Sequence, residues 1–441
     1  MRQLPPGPSG KNPLNLLRMM LDPHATYARL TRAYGDPFTV STVIGPMVVT
    51  SDPEGVRDFF TADPTGFEYC APEMEGPLLG ESALVFAPGS RHMAERKLVS
   101  PAFHSEQVRG YARVIEGAAM REVASWSPGE TFDLHRSAQA ISLDVLLRAL
   151  FGLEDRARVQ AFRDAVLGLV DALTPLLVLF TSLRRPFGGF GPYARFLGAS
   201  ERLDTLIFEE IEARRRDLSP REDILTRLMS ARSDGGEGIS DKKLRDELRV
   251  LLFAGHETTA VGIAWAVYQI HRAPYVRERL VAEIDRLGPD AEPAALASLS
   301  YLDAVCQETL RVNTIVPEIA RKLTKPLKLK GFELPSGVAV LAAASLLHER
   351  EDLYREPHRF RPERFLERKP TPYDFIPFGG GAHRCLGASL AMLEMKVVLA
   401  TLLRRCDLTL ASDKAIRGER RGLTMGPKGG VPVILTRLRG G

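Results

Sequence analysis

The chain has 441 residues, 44% of them hydrophobic, and its 59 lysines and arginines nearly balance 55 aspartates and glutamates, for a net charge of +4. That balance excludes a nucleic-acid-binding stripe, while the apolar content allows a large core. Cys70, Cys306, Cys385 and Cys406 share no short paired spacing, which excludes a zinc site and a disulfide framework.

In chain order, the opening Met1-Arg2-Gln3-Leu4-Pro5-Pro6-Gly7-Pro8 contains no apolar run long enough for a signal peptide or a membrane span. Phe38–Val43 and Met47–Thr50 alternate around Gly45-Pro46 and predict a hairpin in a small β-rich lobe. Helical periodicity dominates from about Ser105 to Arg311, and Arg232–Gly238 is a loop too short to separate domains. No linker, repeat or low-complexity tract divides residues 1–441, so one domain is expected.

Within a long apolar helix, Leu251–Ala260 carries Ala254-Gly255-His256-Glu257-Thr258. Buried polar groups need a partner or a task. Small Ala254 and Gly255 let a ligand approach the helix, and Glu257 with Thr258 reads as a proton-delivery pair. The alternative is a kink in which Thr258 bonds back to a carbonyl one turn earlier. Next, Glu308 and Arg311 lie three apart on one face of a predicted helix, with Cys306 on its apolar side. Strands return at Leu327–Phe332 and Val338–Ala342. Phe360–Phe365 supplies Arg364, which would make Glu308 and Arg311 a charge-assisted network if it closes on them.

Phe378-Gly379-Gly380-Gly381-Ala382-His383-Arg384-Cys385-Leu386-Gly387 sets one cysteine in a glycine loop just before an apolar helix. A lone cysteine would be read as inert and buried. Here the loop, the basic neighbours and the helix N-terminus favour an anionic sulfur held against a large flat cofactor. The end, Leu423–Leu435, reads as a turn-rich hairpin.

These four motifs, in this order and over nearly the whole chain, resemble those of the cytochrome P450 family of heme-thiolate monooxygenases. The resemblance implies a mainly α fold with minor β-sheets, the β-rich lobe falling mainly at 30–65 and 320–345 and the helical lobe elsewhere. It implies heme b on Cys385, with Phe378, Gly379, Gly381, His383 and Gly387 shaping the ligand loop and Ala254 and Gly255 facing the cofactor. His92 and Arg96, one helical turn apart, would hold heme propionates with Arg321 and His383. Glu308, Arg311 and Arg364 match the family's structural triad, and Glu257 with Thr258 its acid–alcohol pair. In place of the usual proline pair after Arg311, the chain reads Val312–Arg321, which leaves the pocket role of Glu318 open between a solvated carboxylate and a buried acceptor.

Substrate contacts are expected from Leu84, Phe86, Leu251, Ala254, Val316, Glu318, Ile319 and Met425, a largely apolar set that suits a fatty acid, terpenoid or polyketide-like compound. The chain is similar overall to bacterial members acting on fatty acids and terpenoids. Phe180, Phe187, Phe190, Tyr193 and Phe196 are candidates for a flexible lid, the alternative being a loop packed on the core. No flavin or iron–sulfur motif is fused to the chain, so a ferredoxin or flavodoxin would bring electrons to a basic face of Arg91, Lys97, Arg384, Lys396, Arg404 and Arg405. The expectation is a monomeric, cytoplasmic enzyme of bacterial type, without membrane anchor or nucleic-acid partner, using O2. The alternatives are a peroxide-driven peroxygenase, whose relatives usually lack the acid–alcohol pair, and a heme sensor without turnover.

Overall fold

The computed structural model describes residues 4–439 except 9, 11, 12, 43, 187, 218 and 220. Its longer helices are α1 Pro23–Tyr34, α2 Gly89–Val99, α3 Ala112–Val123, α4 Leu134–Phe151, α5 Arg156–Ala172, α6 Pro192–Arg216, α7 Asp241–Arg272, α8 Pro274–Asp285, α9 Ser300–Val312 and α10 Ala388–Arg405. The strands are β1 Phe38–Thr42, β2 Gly45–Thr50, β3 Phe67–Glu68, β4 Thr131–Asp133, β5 Glu318–Leu323, β6 Leu327–Leu329, β7 Phe332–Leu334, β8 Ala339–Ala343, β9 Cys406–Leu410, β10 Gly418–Arg421, β11 Thr424–Pro427 and β12 Pro432–Leu438.

A five-stranded sheet runs in the order β1-β2-β8-β5-β3, parallel only where β2 meets β8. The expected first hairpin forms, with Phe38 opposite Val49; Gly45 pairs with Thr42 and opens β2 instead of turning the chain, and Val43 lies outside the described residues. The single strand expected at Leu327–Phe332 is a hairpin, β6 against β7, because Lys330 and Gly331 both take positive φ. The terminal hairpin does not form as expected either. β11 pairs with β10, whereas β12 joins β4 and β9. Asp133, which caps α4, accepts the Val431 amide at 2.8 Å and so draws the last strand to that helix.

The largest core cluster is drawn from α3 to α10, and smaller clusters lie under the five-stranded sheet. At its centre α7 is buried all round from Thr259 to Tyr268. It is long and apolar enough to cross a membrane by length and composition, yet 61% of that apolar window is buried inside the protein. Two glycines let other helices approach it: a Cβ on Gly255 would sit 3.0 Å from Leu146 of α4, and one on Gly262 would sit 3.1 Å from the Met395 sulfur of α10. The second contact sets the helix after the cysteine loop against the helix of the acid–alcohol pair.

Candidate functional site

Cys385 follows a loop whose glycines are dictated by packing as much as by any ligand. Gly379 and Gly381 have φ of +68° and +59°, and a Cβ on Gly380 or Gly381 would collide with Phe60. Gly387 differs, since it has ordinary φ and nothing within 4 Å of where a Cβ would stand. Neither strain nor packing calls for glycine there; the space it leaves lies beside the cysteine. Cys385 is deep in the molecule and still keeps accessible surface, so its sulfur faces an internal space. Burial pushes its thiol up, while the Gly387 and Ala388 amides and the charges of Arg384 and Arg96 pull toward the thiolate.

On α7, Ala254 is likewise exposed in the middle of a packed helix. Gly255, expected to face a cofactor, instead turns the position of its missing side chain to Leu146, because α4 packs there. The Thr258 hydroxyl donates to the Ala254 carbonyl at 2.8 Å, the back-bond anticipated as the alternative to a relay. Glu257 turns toward α4: Gln139 Nε2 donates to Oε2 at 2.6 Å, and His135 Nε2 lies 3.4 Å from Oε1. Burial raises the Glu257 carboxyl, but these two contacts outweigh it and hold the group below its usual range. His135 and Gln139 were missed by the sequence reading. Their signal was two polar residues four apart, one helical turn, on one face of α4.

A cluster of donors without an anion lies nearby. The His92 and His383 rings sit 3.9 Å apart between centroids, and His92 Nδ1 and His383 Nε2 are buried without hydrogen-bond partners. Burial, with Arg96 and Arg321 adding to it, lowers His92 to about 4 and His383 to about 3. Arg96 reaches only the Arg384 carbonyl, and Arg321 its neighbour's carbonyl at 2.6 Å; among the described residues no carboxylate pairs with either. Burial lowers both guanidinium pKa values. Uncompensated buried cations are costly, so the donor set fits a ligand that brings carboxylates. Heme b, with two propionates on a flat apolar ring, matches both the donors and the space at Gly387.

The expected triad closes. Arg311 forks onto Glu308 at 2.8 and 2.9 Å, Arg364 Nε reaches Glu308 Oε1 at 3.0 Å, and Arg311 also donates to the His348 and Pro357 carbonyls. Glu308 and Arg311 are fully buried. His348, unforeseen, locks the assembly by accepting the Ile376 amide at Nε2 and meeting the Thr314 hydroxyl at Nδ1.

The candidate pocket residues divide. Phe86 is buried with Leu79 and Ala83 against Leu173, Val250 and Phe253, and Leu84 is buried beside them in sequence. Leu251 packs on the main core, Ile319 comes close to Gly379, and Val316 is half-buried. The Met425 amide donates to Ile315. Glu318 is half-buried, and each of its two oxygens accepts a bond, one from Tyr27 and one from Arg420. The lid cluster is not one cluster: Phe196 is in the core, Phe180 and Phe190 are exposed, and Phe187 lies outside the described residues. The basic face is weaker than its cation count, since Arg91, Lys97 and Lys396 pair with Glu95, Asp234 and Asp303.

The family model described as Cytochrome P450 matches residues 5–432. A Mycobacterium tuberculosis protein bearing the name cytochrome P450 135B1 is 34% identical, over 99% of this chain and 92% of its own length. Another from that organism, named as cytochrome P450 138, is 32% identical over 99% and 97%. The solved structure "Retinoic acid bound cyanobacterial CYP120A1" superposes with a TM-score of 0.84 at 26% identity, covering 99% of this chain and all of that one. The cytochrome P450DA heme domain shares the fold, with a TM-score of 0.82 at 22% identity over 99% and 98%. The chain therefore belongs to the cytochrome P450 family and is a monooxygenase-class oxidoreductase with heme b as cofactor.

Proposed function

We propose that residues 1–441 form one catalytic unit that inserts an oxygen atom of O2 into an apolar small molecule of the fatty acid, terpenoid or polyketide kind. Electrons come from a separate ferredoxin or flavodoxin, and the enzyme works as a cytoplasmic monomer. The observation that carries this reading is the pairing of an amide-bonded Cys385 that keeps accessible surface deep in the molecule with four donors that meet no anion among the described residues. Cys385 holds the iron, and His92, Arg96, Arg321 and His383 hold the propionates. Heme bound there supplies the metal at which O2 is activated. The apolar packing of Phe86 on Phe253, next to the exposed Ala254, supports a hydrophobic substrate, as does the retinoic acid bound by the cyanobacterial relative.

The protein's own part is proton handling. Because Thr258 Oγ1 donates its hydrogen to the Ala254 carbonyl, its lone pairs remain open to accept from a reacting group. His135 Nε2 lies 3.4 Å from Glu257 Oε1 and Gln139 Nε2 donates to Oε2, and both contacts favour the ionised acid. Glu257 thus rests as a carboxylate. To deliver a proton it must first receive one and turn from His135 and Gln139 toward Thr258. Thr258→Ala should lower product per reductant consumed by about tenfold or more and release the difference as peroxide; product formation at the parent yield would contradict the relay.

A further inference from the structure

The loop between the short helix Pro72–Leu79 and α2 is irregular and partly buried, so its amides need acceptors. Two consecutive carboxylates of α7 provide them. Asp246 Oδ2 accepts the Ser82 amide at 2.9 Å and Glu247 Oε1 accepts the Leu84 amide at 2.7 Å, while Arg249 donates to the Leu78 carbonyl at 2.7 Å. Asp246, Glu247 and Arg249 are only 1%, 3% and 6% exposed. The approach is close: at Gly80, with φ of +124°, a Cβ would stand 2.8 Å from that of Asp246. The same group reaches α6, where Asp204 accepts from Arg245 at 2.6 Å and from Arg249 at 3.2 Å. On its apolar side the loop presents Leu79, Ala83 and Phe86 to Val250 and Phe253, the latter adjacent to Ala254.

We propose that Asp246, Glu247 and Arg249 are positioning residues for substrate recognition: they clasp the backbone of residues 78–84 to α7, so that the packing of Leu79, Ala83 and Phe86 on Val250 and Phe253 fixes that side of the ligand space as one apolar wall. The inference rests on the reading above that the Ala254 side of α7 faces the bound heme. Charged acceptors make backbone bonds stronger than neutral ones, so the wall's shape is set by α7 and discriminates among hydrophobic ligands. Asp204 ties the clasp to α6.

The test uses the heme-loaded enzyme at pH 8, above the value of about 7 to which burial raises the Glu247 carboxyl. Amide hydrogen exchange is followed across residues 79–86, and Soret titrations compare imidazole with the bulkier 4-phenylimidazole. Asp246→Ala and Glu247→Ala should speed exchange in that segment, and weaken 4-phenylimidazole but not imidazole, by about tenfold each. Asp246→Asn and Glu247→Gln keep an acceptor and should restore both. Should the alanine variants not fold, Asp204→Asn, at the outer end of the clasp, should show the same faster exchange. Unchanged exchange, or equal weakening of both azoles, overturns the clasp alone. A parent enzyme in which neither azole shifts the band overturns the reading of the heme site, and the clasp's role in recognition with it.

Discussion

Arg321 lies on β5 with its charge buried and, among the described residues, no carboxylate to meet it, and Arg96 faces the same region from α2. A fold tolerates such groups when a bound anion completes them. Arg321→Leu should therefore speed heme loss to excess apomyoglobin by about tenfold or more, the worth of one charge-assisted hydrogen bond; an unchanged transfer rate would show that the guanidinium does not hold the cofactor. At this scale the sequence was informative where side-chain chemistry is unusual. Cys385 stood out through its glycine loop and basic neighbours, whereas Arg321 and the Glu308 group were picked out through the family resemblance. Glu318 stayed open because its partners, Tyr27 and Arg420, come from 291 residues upstream and 102 downstream, and no local pattern encodes that meeting.

Among elements, α10 shows how a helix can carry both the site and a latent charge. Glu394 is 1% exposed, and burial raises its carboxyl to about 8. Below about pH 4.5 the acid is protonated in both folded and unfolded chains and contributes nothing to pH dependence. Between there and pH 8 only the unfolded chain releases the proton, so stability falls as pH rises. Glu394→Gln removes that loss: its stability advantage over the parent should grow by about 3–4 kcal/mol between pH 5 and pH 8 in denaturant titrations. An advantage independent of pH would mean the carboxyl ionises in the folded protein as freely as outside it. The helices themselves were legible from their period. The strands at 327–334 and 424–438 were not, because positive φ at Lys330 and capture of Val431 by Asp133 decide pairings that alternation alone leaves open.

Across the whole molecule, the site exists because segments far apart in sequence converge: α2 brings His92 and Arg96, β5 brings Arg321, α7 brings Ala254 and Thr258, and the loop before α10 brings Cys385. These residues were singled out through the family's motif order, whereas the carboxylates that hold residues 78–84 were not, since their partners are backbone amides that no side-chain pattern reveals. The central claim is that these segments enclose a heme whose iron is held by the Cys385 sulfur. The most direct measurement is the absorption spectrum of the reduced, carbon-monoxide-bound protein beside that of Cys385→Ala. A strongly red-shifted Soret band in the parent that disappears in the variant is predicted. A histidine-like band in the parent, or a red-shifted band that survives the substitution, would contradict the account.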